Sequence, residues 1–123
     1  MRIKIDPLDR LFSQYIRLRA KGCCERCSAY KGIHGLETSH FFGRRKKSTR
    51  WNEDNASALC FACHMYFTEN PLEHVEWFRE RLGEEKFTLL NIQANKPQKV
   101  DKDLIEIYLR QLIKELEKRV RMT

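Results

Sequence analysis

Apolar positions recur along this chain with a helical period at both ends and a two-residue period in between. After Asp6-Pro7, the residues Leu8, Leu11, Phe12, Tyr15 and Ile16 fall on one face at helical spacing, with an N-cap and a proline at the first helical position. The pattern predicts a helix over about 6–20, broken by Gly22. Ile33 to Phe42 reads as a short strand weakened by Gly35, with His40 near its end. Gly43 to Asn52 is polar and basic with no apolar period, which predicts a loop. Ala56 to Leu59 reads as a second strand, followed by a short helix through His64, Met65, Tyr66 and Phe67.

Beyond that point the helical period returns. Asn70-Pro71 with Glu73 starts a helix whose apolar face includes Leu72, Val75, Phe78 and Leu82, and Gly83 ends it. Phe87, Leu89, Leu90 and Ile92 suggest another helix. Lys96-Pro97-Gln98 is linker-like, and a last helix from Asp101 carries Leu104, Ile105, Tyr108, Leu109, Leu112, Ile113, Leu116 and Val120. The expected class is α+β: one domain over 1–123, with an N-terminal helix at about 6–20, a cysteine-containing core at about 23–69 and a helical tail at about 70–123. Ile105, Leu109, Leu112 and Leu116 approach heptad spacing, a pattern that serves packing inside the domain or against a second copy. The oligomeric state stays open, with a homodimer among the alternatives.

Composition adds a charge bias. Lys and Arg number 24 against 17 Asp and Glu, a net charge of +7, which favours a polyanionic partner without identifying one. No stretch is long and apolar enough to span a bilayer, and no apolar signal segment precedes the cysteines, so a cytoplasmic setting with reduced thiols is expected and no membrane partner.

Those thiols carry the clearest chemistry. Cys24-x-x-Cys27 and Cys60-x-x-Cys63 each offer two corners of a tetrahedron from one tight turn, so the pairs together form a four-thiolate structural zinc site. Zinc is favoured over two disulfides, and Cys23 is left as a bystander. Between and beside the pairs stand His40, Asn55 and His64. A histidine at a strand end can take a proton from water, an asparagine can orient that base, and a histidine on the following helix can hold a divalent cation. Together these three predict phosphodiester hydrolysis.

This arrangement of residues resembles the HNH endonucleases, the ββα-metal nucleases, in the form where Cys-x-x-Cys pairs bracket the catalytic unit. Leu11-Phe12-Ser13-Gln14-Tyr15-Ile16-Arg17, Arg50-Trp51-Asn52-Glu53-Asp54-Asn55 and the helical tail look most like the phage NinG recombination nucleases. The resemblance implies a zinc-stapled ββα-metal core and a phage-encoded enzyme in the host cytoplasm. It also implies a DNA substrate that includes branched or recombination-intermediate forms, and a catalytic Mg²⁺ or Mn²⁺. Carried over by position, His40 is the general base, Asn55 braces the loop and the His40 ring, and His64 holds the catalytic ion. Two positions depart from the family. Ser39 stands where many members have a metal-binding Asp, and Thr68 stands one turn after His64 where a second His is common, leaving Ser39, Glu37 or Glu69 as further ligands.

Arg44, Arg45, Lys46, Lys47 and Arg50 lie between the proposed base and the proposed metal ligand, where phosphates must approach. They are expected to contact the DNA backbone in a salt-sensitive way without reading sequence. Trp51 reads as core or as a base-stacking residue, and His34 and His74 as structural or exposed. Two other functions use the same features: a non-catalytic zinc-stabilised nucleic-acid-binding module, and a zinc-stabilised adaptor that presents its helical tail to a protein.

Overall fold

A computed structural model describes residues 5–96 and 99–122, and the Pro97-Gln98 part of the expected linker lies outside them. Helix α1 spans Pro7–Arg19 and begins as its sequence demands: the Asp6 side chain accepts from the Leu8 N–H at 2.9 Å, and Pro7 supplies a pre-set φ where no N–H is needed. Its inner face buries Leu8, Phe12, Tyr15 and Ile16. Lys21 (φ 56°) and Gly22 (φ 79°) then reverse the chain. Gly22 cannot be replaced cheaply, because a Cβ there would lie 2.9 Å from the Tyr30 ring and 3.2 Å from the Gly32 Cα.

The expected first strand is shorter than its apolar run. Ile33–Gly35 forms a 3₁₀ turn after the positive φ of Gly32, and strand β1 starts only at Glu37 and ends at His40. The basic segment is not a plain loop either, since Lys47–Arg50 closes one helical turn, α2. Strand β2 spans Ala56–Leu59 and is buried throughout. It pairs antiparallel with β1 in the register Glu37 with Leu59, Thr38 with Ala58, Ser39 with Ser57 and His40 with Ala56. Helices α3 (Phe61–Glu69), α4 (Pro71–Leu82), α5 (Glu84–Ala94) and α6 (Lys102–Met122) complete a mostly helical α+β fold.

The two faces of this small sheet carry different neighbours. Thr38 and His40 face α1, where the Thr38 hydroxyl meets Ser13 Oγ at 2.7 Å and the His40 ring lies 5.6 Å from Phe12. Glu37 faces α3, meeting His64. Phe41, just past the end of β1 on that side, stacks on Phe78 of α4 with centroids 4.2 Å apart. Helix α6 lies along α1 and buries Leu109 and Ile113, with Ile105, Leu112 and Leu116 partly covered. The near-heptad face of α6 is thus used inside the chain. The expected apolar face of α4 is corrected: Phe78 is fully buried, but Leu72 is 80% exposed and Val75 is also on the surface. Helix α4 packs mainly on α3 and α5, and the side bearing His74, Trp77 and Phe78 carries its aromatic contacts.

Candidate metal centre and hairpin site

The first cysteine pair is set by a knuckle of local hydrogen bonds. The Ser28 N–H donates to the Cys24 carbonyl and the Cys24 N–H to the Ala29 carbonyl, both at 2.9 Å, with Ser28 in the left-handed region at φ 67°. Glu25 anchors the knuckle to the sheet. Its N–H donates to the Ala58 carbonyl at 2.8 Å, and its carboxylate accepts from the Ala58 N–H at 2.7 Å and from Arg19 at 2.8 Å. The second pair sits at the start of α3, with Cys60 as its N-cap residue and Cys63 in its first turn.

These elements bring Cys24, Cys27, Cys60 and Cys63 together, with all four sulfurs within 4.8 Å of one another and Cys27 Sγ 3.8 Å from Cys60 Sγ. A tetrahedral ion with Zn–S bonds of about 2.3 Å separates its sulfurs by about 3.8 Å, so the donor set fits zinc in size and chemistry. Cys23 takes no part; it pairs through its backbone with Tyr30. Burial pushes the Cys24 thiol up, but N–H groups of Cys27, Cys60 and Arg26 outweigh it and bring Cys24 to about 7. Burial and the neighbouring thiols push Cys63 up, so four adjacent thiolates require a cation among them. Arg26 relieves part of that charge: its guanidinium lies 3.5 Å from Cys63 Sγ and sits over the Tyr66 and Phe67 rings.

The polar trio is distributed over the hairpin and the start of α3. Asn55 is fully buried and clamps the turn after β1, accepting from the Phe42 N–H at 2.9 Å and donating to the Phe42 carbonyl at 3.0 Å. Its hydrogen bonds hold the turn through Phe42 and do not go to the His40 ring. His64, half-buried one residue beyond Cys63, has Nδ1 2.6 Å from Glu37 Oε1, so Glu37 is the residue that β1 brings to it. Ser39 is buried opposite Ser57 in the register. His40 lies on the other face of the sheet, against Phe12 and the Arg50 backbone, and its Nε2 is buried without a hydrogen-bond partner among the described residues. Burial, then Arg44, depresses its proton affinity below the ordinary value of 6.5, so the ring is neutral at neutral pH.

The basic segment divides in the same way. Arg50 is not a free cation: it forms a bidentate pair with the buried Asp9 at 2.6 and 3.1 Å and lies over the Trp51 ring. The Trp51 indole N–H donates to the same carboxylate at 2.9 Å, which makes Trp51 a core residue and not a stacking platform. Lys46 reaches the Asn95 side chain at 3.3 Å. Gln93 of α5 holds α2 from below, exchanging 2.7 Å hydrogen bonds with Ser48 and accepting from Asn52. Arg44, Arg45 and Lys47 remain exposed. Asp9 and Gln93, which order this segment, carry no signal in the pattern beyond ordinary polar helix positions. His74 is half-buried in a cage of Phe41, Phe67 and Trp77.

No family model, no curated protein and no solved structure matches the chain.

Proposed function

We propose that the β1–β2–α3 unit is a zinc-stapled ββα-metal core of the HNH kind and that the protein is a metal-dependent DNA endonuclease. The observation that carries this reading is the Glu37–His64 pair. It is a carboxylate of β1 and an imidazole of α3, 2.6 Å apart and both reachable by solvent, where the cysteine cluster fixes the start of α3 beside the hairpin. One carboxylate and one imidazole beside open water and phosphate positions suit Mg²⁺ or Mn²⁺, which when bound would stabilise charge on the phosphate and the leaving oxygen. The chain's own residues do the rest. Glu37 orients His64, Asn55 holds the hairpin turn, and His40, neutral at neutral pH, is the group able to accept a proton from water. Arg44, Arg45 and Lys47 contact backbone phosphates without reading bases. A preference for branched or recombining DNA follows from the family resemblance alone.

A second reading has its own observation. His40 and His64 lie on opposite faces of the sheet and His40 Nε2 is covered, which favours a zinc-stabilised module that binds nucleic acid without cutting it. Cleavage of labelled duplex and branched DNA with Mg²⁺ or Mn²⁺ separates the two. The nuclease reading expects metal-dependent cutting lowered at least about 100-fold in His40→Ala and in His64→Ala, with zinc content unchanged. Wild-type protein that binds DNA but never cuts it would establish the second reading.

A further inference from the structure

The surface on the His40 side of the sheet holds a feature that the basic loop does not explain. Helix α1, the 3₁₀ turn at Ile33–Gly35 and the end of α6 enclose a groove of about 600 Å³. It adjoins a second concavity of about 500 Å³, and Leu18, Ile33 and Glu117 line both. Arg10, Arg17 and Arg44 edge the first part, and Lys21 and Arg119 the second. Five cations face two acids, Asp9 and Glu117, and Asp9 is already neutralised by Arg50. Among the described residues Arg10, Lys21, Arg44 and Arg119 form no ion pair, so these charges are not used to hold the fold. Arg17 is fixed instead by the Ser13 and Ile33 carbonyls at 3.2 and 3.1 Å, which orders one guanidinium in advance.

We infer that this groove seats a single strand of nucleic acid, with phosphates on the row Arg10, Arg17, Lys21 and bases over the apolar floor of Leu18, Ile33 and Leu116. The inference rests on the nucleic-acid reading above and adds where on the molecule the strand lies. Arg10 and Arg17 are seven residues apart on one face of α1, about 10 Å along its axis, and Lys21 stands in the turn just past the helix end, on the adjoining part of the groove, a set of cations suited to a charged polymer. Each concavity has the volume of a small-ligand pocket, room for unpaired bases. Cations that track a backbone beside apolar surface for bases make up the usual single-strand site. Arg44 belongs both to this groove and to the basic loop, so a strand lying here leads on to Arg45 and Lys47.

The test is fluorescence anisotropy of labelled oligothymidylate at several salt concentrations, with a poly-glutamate peptide in parallel. It compares the zinc-loaded protein, an Arg10→Gln/Lys21→Gln/Arg119→Gln variant and an Arg45→Gln/Lys47→Gln variant. These side chains are exposed, and circular dichroism checks that both variants fold. Loss of the two row cations Arg10 and Lys21, with the Arg119 charge beside them, lowers the log–log salt slope by at least about 1.4 and the affinity at 0.1 M salt by at least about 25-fold. The loop variant retains the larger share of single-strand affinity. A groove variant with wild-type affinity and slope overturns the inference, as does poly-glutamate binding as tightly as the oligonucleotide. Binding that depends on the groove, without cleavage in any metal, supports this inference while removing the nuclease reading.

Discussion

At the scale of single residues, Asn55 shows how a polar side chain becomes structural. Both ends of its amide are used by Phe42, and none of its surface meets water. Asn55→Ala leaves a buried N–H and carbonyl without partners, so it should cost about 3 kcal/mol in urea unfolding. Asn55→Asp should rescue only part, because a carboxylate then faces the Phe42 carbonyl. His40 gives a pH dependence of known sign. Its folded proton affinity lies below the ordinary 6.5, so the unfolded chain binds more protons, and this contribution is fully present above pH 6.5 and lost as pH falls through the folded value. Urea midpoints measured from pH 7.5 down to 5.5 should fall, and His40→Gln should flatten the slope. That Asn55 and His40 stand between the two cysteine pairs was legible in the sequence. Their orientation was not, since a strand of four residues sends neighbours to opposite faces and only packing says which face meets which helix.

At the scale of elements, the helix boundaries followed from local chemistry. Asp6-Pro7 starts α1, Pro71 starts α4, and Gly83 at φ 84° turns the chain between α4 and α5. What α4 and α5 contribute is decided by one aromatic contact. Phe78 is fully buried, stacked on Phe41 and edged by Phe87, so it ties the helical tail to the residue that follows β1. Phe78→Ala should destabilise by about 3–5 kcal/mol and raise amide exchange across α4 and α5, measured by hydrogen–deuterium exchange. The apolar pattern overreached at Leu72, Leu89 and Leu104, all well exposed, because helical spacing marks a stripe without saying whether a neighbour covers its whole width. It underreached at α2. One helical turn in a basic, polar segment has no apolar period, and it is held by Gln93 from 45 residues away.

At the scale of the whole molecule, the cysteine cluster joins the first knuckle to the start of α3, and Glu25, Arg19 and Arg81 extend that junction into α1 and α4. A chain of 123 residues buries a modest core, so an ion held by the four cysteines should contribute to stability throughout. Dialysis against a strong chelator, or Cys60→Ser, should lower the unfolding midpoint by at least about 10 °C. The intact protein should carry one zinc per chain by elemental analysis, and a retained midpoint without zinc would contradict the staple. Spacing alone identified the four cysteines, the two strands and the starts of α1, α4 and α6, because turn chemistry, metal geometry and helical period act within a few residues. The pairing of Glu37 with His64, the capture of Arg50 and Trp51 by Asp9, the side of the sheet that His40 occupies and the groove beside α1 arose only on folding. Each joins residues remote in the chain, and no local period encodes which burial surfaces and charges will find one another.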